Sequence, residues 1–170
     1  TDVARESSSL ILLDDNFSSI VAAIRLGRRI FDNIQKAWSY VLAVHIPIIG
    51  LALLPVFVPH LPLILMPIHI VFLEFIIDPS SSIAFENEQE ESNIMKRKPR
   101  DQKHKFFSKK RIFTSVGEGL LALAATVLIY VLATINGLSE NQIRAMAFTT
   151  LVLSNLLLVL SNLSQTKSIF

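Results

Sequence analysis

The sequence contains no cysteine, which excludes disulfides and thiolate metal sites while leaving the redox compartment open. It also lacks a Gly-rich phosphate loop, a paired-histidine zinc motif and a nucleophile elbow, so nothing in these residues can hydrolyse ATP. No internal repeat relates its apolar segments, which removes support for an inverted-repeat architecture. The first residues are charged rather than signal-peptide-like. The basic stretch 96–111 carries no recognisable nucleic-acid-binding motif, so nucleic acid is not an expected partner.

What is present is apolar length. Hydrophobic residues make up 51% of the chain, and they cluster into runs at 38–58, 61–77, 119–138 and 145–163. A bilayer core needs about 20 helical residues, with a range of about 17–25. A soluble core holds one or two such helices, so four in 170 residues predict an all-α, multi-pass membrane protein in a lipid bilayer. Charge sets the topology. Arg25, Arg28, Arg29 and Lys36 precede the first run, and nine Lys or Arg lie between Lys96 and Arg111. Pro59-His60 has none, and 139–144 has only Arg144. The positive-inside rule then places both termini and the long loop in the cytoplasm.

The expected segments are 1–16, a soluble end piece; 17–37, a cytoplasmic stalk helix; 38–58, 61–79, 116–138 and 144–164, membrane helices; 80–115, a cytoplasmic loop; and 165–170, a tail. Residues 9–13 are aliphatic and could end a strand. Asp14-Asp15-Asn16 offers N-cap side chains for a helix starting near Phe17. Ile20, Ile24, Gly27, Phe31, Ile34 and Trp38 then form one apolar stripe. No proline intervenes before Pro47, so the stalk should run continuously into the first membrane run. The stripe suits a neighbouring soluble domain or a mechanical stalk. The loop, acidic at Glu86, Glu88, Glu90 and Glu91 and then basic, is expected to be solvated; a lipid-headgroup contact for its basic half is the sharper alternative.

Glu74 and Asp78 lie inside the second run. Such acids are costly in hydrocarbon unless paired, hydrated or coordinating. Four residues apart, they share one helix face. Pro79 should bias Asp78 away from helical geometry and end or break the helix. Two acids beside a broken backbone make a candidate site for a hard cation: Ca²⁺, Na⁺, Mn²⁺ or H⁺. Pro47 frees a carbonyl in the preceding turn near His45, so His45 is either a structural histidine or part of an ion path. His69 is expected to pack or sit at the interface. Asn155, in mid-run, could complete a coordination shell. Glu118, near a membrane boundary, needs no special role.

These motifs resemble a family. The stretch 1–24 (TDVARESSSLILLDDNFSSIVAAI) resembles the end of the phosphorylation domain of type II P-type cation ATPases. Gly27-Arg-Arg-Ile-Phe-Asp-Asn-Ile resembles their stalk into the fifth transmembrane helix, Phe72-Leu-Glu-Phe-Ile-Ile-Asp-Pro their sixth-helix ion motif, and Ile94-Met-Lys-Arg-Lys-Pro-Arg the loop motif that follows. The resemblance implies a carboxy-terminal piece of a pump carrying helices five to eight. Its partners would be the actuator, nucleotide-binding and phosphorylation domains and helices one to four, with Mg²⁺ and ATP acting through those absent parts. Asp78 matches the sixth-helix aspartate. Glu74 stands where calcium pumps commonly have asparagine, Ile77 where they have threonine, His45 at a fifth-helix asparagine, Ile48 at a fifth-helix glutamate and Asn155 at an eighth-helix glutamate. The implied metal set is Asp78, Glu74, Asn155 and His45, with Ca²⁺ the first candidate and one divalent ion, a monovalent cation or a proton easier to accommodate than two calcium ions. Bacterial members look closest, implying a bacterial plasma membrane. The alternatives are a self-contained four-helix cation channel or proton-coupled carrier, and a non-transporting assembly subunit.

Overall fold

The structure, a computed structural model, describes residues 2–14, 16–58, 63–99 and 108–163, with the side chains of Asp78 and Ser80 outside that description. The described residues form α1 (Asp2–Ser7), α2 (Phe17–Phe57), α3 (Pro67–Glu86), α4 (Lys109–Ile135) and α5 (Glu140–Leu163). The last four are each long and apolar enough to cross a membrane. Residues 9–13 form no strand; they are irregular and mostly exposed, because the described residues hold no strand with which to pair.

Helix α2 is one continuous element of 41 residues, about 60 Å long at 1.5 Å per residue. Asn16 caps it, its side chain accepting from the Ser18 amide at 3.0 Å. Asp14 reinforces the cap by accepting from Ser19 Oγ at 2.5 Å. That bond, with the backbone of Asn16, holds the Asp14 carboxyl below its ordinary range. Pro47 and Pro55 lie inside the helix, and each removes one ladder bond. At Pro47 the orphaned acceptor is the Ala43 carbonyl. Gly119 of α4 packs directly on that oxygen: a Cβ at Gly119 would lie 2.5 Å from it.

The expected break at Asp78-Pro79 does not occur. Helix α3 runs through Pro79 to Glu86. Pro79 is exposed, so its ring displaces no neighbouring helix, and membrane helices tolerate the single lost bond. At the α4 end, Gly137 adopts φ +70°, and the Leu138 amide reaches back to the Ala133 carbonyl at 3.2 Å. This is the Gly-terminated C-cap expected of a helix stop.

The loop after α3 is not wholly solvated in its acidic half: Glu86 stays exposed, but Glu91 is buried and the backbone docks on α2. Arg28 Nη1 donates to the carbonyls of Ile94 at 2.7 Å and Arg97 at 2.9 Å. Arg29 Nε and Asn33 Nδ2 both donate to the Glu88 carbonyl. Arg97 pairs with Asp32 at 2.6 Å. Beneath these contacts Lys36, 1% exposed, lies 3.0 Å from the carboxylate of Glu91, 6% exposed. Its approach makes this a charge contact and not a directed hydrogen bond. The stalk's buried face is therefore polar (Asn33, Lys36, Ser39), while Ile24, Ile34 and Trp38 of the apolar stripe stay exposed.

Candidate cation site

Three ring or side-chain contacts set the relative heights of the helices. Tyr40 meets Phe85 at 5.6 Å between ring centroids. Counting inward along these antiparallel helices, the Asp78 backbone lies level with Pro47. His69 and Phe72 both meet the Phe148 ring, at 4.7 and 5.9 Å. Helices α3 and α5 run the same way, which sets Asn155 level with 76–79. Glu118 accepts from Ser161 Oγ at 3.2 Å and from Asn162 Nδ2 at 3.0 Å, pinning α4 to α5 at the stalk end. Residue 78 and Asn155 thus share one layer of the bundle. Glu74 lies one turn, about 6 Å, farther from the stalk.

That layer and the turn on either side of it are mostly apolar. Val44, Ile48, Leu51, Leu73, Ile77 and Leu151 are all buried. Ile48 and Ile77 stand where the sequence resemblance led to a glutamate and a threonine, and both pack into the core. Asn155 is the exception. It is 1% exposed, and among the described residues neither its amide oxygen nor its amide nitrogen has a hydrogen-bond partner. Leaving such groups unpaired in an apolar interior costs about 1–3 kcal/mol each. Thr126, equally buried, avoids that cost by donating to the Ala122 carbonyl at 2.9 Å. A buried, unpaired amide oxygen has the chemistry of a hard-cation ligand.

The other expected ligands are placed differently. Glu74 is half-buried, and among the described residues nothing pairs with it. The Asp78 side chain lies outside the described residues. His45 sits about a quarter-turn or more from the buried Pro47–Ile48–Leu51 face, in a cleft between α2 and α4. Its Nδ1 lies 2.8 Å from the Val41 carbonyl. The carbonyl freed by Pro47 is covered by Gly119, so it faces α4 and not α3. Among the described residues no three His or carboxylate side chains form a metal cluster. His69 packs as expected, accepting from the Met66 amide at 3.1 Å and lying against Phe148. Sequence reasoning missed the Glu118–Ser161–Asn162 clasp. Its signal was faint: an acid at the start of one apolar run and a Ser-Asn pair at the end of the next.

Residues 62–170 match the family described as cation transporting ATPase, C-terminus. The chain belongs to that family. It is 40% identical over 98% of its length to a calcium-transporting ATPase of Bacillus subtilis, of which it covers 19%. It is 34% identical over 100% of its length to a calcium-transporting ATPase of Listeria monocytogenes, again covering 19%. It is 36% identical over 84% of its length to a sodium/potassium-transporting ATPase alpha-3 subunit of Oreochromis mossambicus, covering 14%. The chain therefore spans about a fifth of the length of the calcium-transporting relatives.

Proposed function

We propose that this chain is the carboxy-terminal membrane portion of an ATP-driven cation pump and that its α2, α3 and α5 layer forms part of the transport site. The observation that carries the reading is Asn155, a buried amide with neither polar atom partnered among the described residues, in the layer that also holds residue 78. Asn155 supplies an oxygen ligand, Asp78 a carboxylate, and Glu74 a second carboxylate one turn away. His45, turned into the α2–α4 cleft, acts more remotely, through the helix it belongs to. Ca²⁺ is the first candidate, in keeping with the names of the bacterial relatives, and Na⁺, Mn²⁺ and H⁺ suit the same oxygen donors.

In this reading Mg²⁺ and ATP act through domains outside this chain. Their movements reach the site along α2, which is unbroken from Phe17 to Phe57. The loop docked at Arg28, Arg29, Asn33 and Lys36 ties α3 to the same stalk, so α2 and α3 move together. Both termini lie in the cytoplasm of a bacterial plasma membrane, as the distribution of Lys and Arg supports. The channel, carrier and assembly-subunit alternatives gain no support from relatives that are ATPases by name.

The test is ion-stimulated ATPase activity of the full-length pump, titrated with Ca²⁺, Mn²⁺, Na⁺ and K⁺. Asn155→Leu and Asp78→Asn should each raise the ion concentration needed for half-maximal stimulation at least several-fold. Unchanged ion dependence in both variants would remove the site from this layer.

A further inference from the structure

At the stalk end of the membrane region, α2 and α4 diverge to form a cleft of about 460 Å³. Its walls are Trp38, Val41, Leu42, His45 and Ile112, with Ser39 and Ser115 on the floor and Arg111 at the mouth. Trp38, Leu42 and Ile112 are 54%, 38% and 40% exposed, so the slot opens sideways at the surface of the α2–α4 pair. Arg111 is partly buried. One guanidinium nitrogen donates to Gln35 Oε1 at 3.0 Å. A guanidinium carries five N–H donors, and the remainder have no partner among the described residues. Lys109 and Lys110 are exposed on the preceding turn.

We propose that this cleft binds an anionic phospholipid of the stalk-side leaflet, with an acyl chain in the slot and the phosphate on Arg111. Three features select this occupant. The slot is almost wholly apolar, and its volume of about 460 Å³ has room for part of a hydrocarbon chain. Its single cation stands at the mouth, at the depth where the apolar run begins at Trp38 and headgroups lie. A fork of N–H groups matches phosphate oxygens bidentately, and basic pockets between membrane helices suit anionic headgroups. The flanking lysines add diffuse attraction but do not line the slot. The site is separate from the cation layer and stands whether or not the transport reading holds.

The probe is Trp38 fluorescence in the full-length pump, isolated as the difference between wild type and Trp38→Phe. The pump is placed in vesicles of phosphatidylcholine containing a minor fraction of chain-brominated phosphatidylglycerol or chain-brominated phosphatidylcholine. Bromine quenches indole at contact. We expect brominated phosphatidylglycerol to quench Trp38 more strongly at equal mole fraction. Arg111→Gln should reduce that preference about five-fold, the worth of one basic residue near a membrane surface. Arg111→Lys should retain part of it, and Lys109→Gln most of it. Equal quenching by the two lipids in wild type overturns the proposal without any variant. Absence of quenching by either overturns it too, because a helix of the pump then covers the cleft. Loss of the preference in Lys109→Gln as large as in Arg111→Gln reduces the effect to surface charge and also overturns it.

Discussion

Gly119 offers the sharpest test of the packing. It sits where α4 crosses α2, against the one carbonyl that Pro47 leaves without its helical donor. A methyl group built there would lie 2.5 Å from Ala43 O, 2.8 Å from Ile46 Cδ1 and 2.9 Å from Ile46 Cβ. The nearest atom is backbone and cannot swing aside, so Gly119→Ala must push the two helices apart. Overpacking of this kind costs about 1–3 kcal/mol. Gly117, two residues earlier on the same helix, has nothing within 4 Å of the equivalent position. Both substitutions gain the same helix propensity, about 1 kcal/mol. Gly117→Ala should therefore stabilise, and the difference between the two variants isolates the clash at about 1–3 kcal/mol. Gly50→Ala should fall between them. Its new methyl would meet Leu123 Cδ2 at 2.6 Å, the end of a side chain that can rotate. The assay is thermal loss of monodisperse protein in detergent for the full-length pump. The expected order of midpoints is Gly117→Ala, Gly50→Ala, Gly119→Ala, from highest to lowest. Equal midpoints for Gly117→Ala and Gly119→Ala would refute the close approach. Ile46→Ala added to Gly119→Ala should recover only part of the loss, because the carbonyl contact remains.

Other expectations follow from the same structure. Lys36→Ala removes the buried ammonium 3.0 Å from the Glu91 carboxylate, and breaking a buried pair should cost about 3–5 kcal/mol; the double variant Lys36→Met/Glu91→Leu should recover part of it in a denaturation cycle. Arg25→Ala, removing an ion pair with side chains 57% and 37% exposed, should change stability by less than about 1 kcal/mol. Asn155→Leu removes two buried atoms unpaired among the described residues, so it should hold or raise the thermal midpoint even as ion stimulation falls; a large drop in midpoint would show that the amide has a structural partner. Asp14 should titrate below its ordinary 3.8. Its contribution to the cap is complete above the unfolded-state value and is lost as pH falls through the lower folded-state value. Ser19→Ala should move the Asp14 carboxyl resonance midpoint upward in an NMR titration.

The membrane architecture was legible because it depends on length and hydropathy, which are local. The Asn16 cap and the unbroken α2 were legible for the same reason. The docked loop was not. Glu88 and Glu91 look solvated in sequence, since nothing local announces that Lys36 and Asn33 will be buried under them across more than fifty residues. The apolar stripe of α2 is largely left at the surface, where a neighbouring domain would pack. Ile24, Ile34 and Trp38 stay exposed, and the polar face is the one that packs. Proline was over-read at Pro79, where a chemical preference against helix gave way to a membrane helix on whose outer face the ring fits. At Pro47 the freed carbonyl was anticipated, but the partner that covers it is a glycine 76 positions from Ala43, visible only once α2 and α4 are side by side.

The candidate site is defined by contrast more than by a cluster. Residues that stabilise a membrane core fill the layer around Asn155, and two of them, Ile48 and Ile77, replace polar groups suggested by the family pattern. Each replacement lowers the number of oxygens available and raises the cost of leaving any remaining polar group unpaired. Asn155 stands under those conditions with no partner among the described residues, whereas Thr126 in the same bundle satisfies itself on its own helix. Structural polar groups tend toward the second arrangement, because it carries no desolvation penalty. The first arrangement costs about 1–3 kcal/mol per unpaired group, and in the proposed reading an entering cation relieves it. In that proposed reading, with Ile48 where the family resemblance implies an acid, the cation would depend on the α3 carboxylates for its charge compensation. Glu74, half-buried and one turn from Asp78, is therefore the residue where ion selectivity is most open to change. Glu74→Gln should shift preference from divalent toward monovalent cations in the same ATPase titration; a uniform loss across all ions would assign it to packing instead.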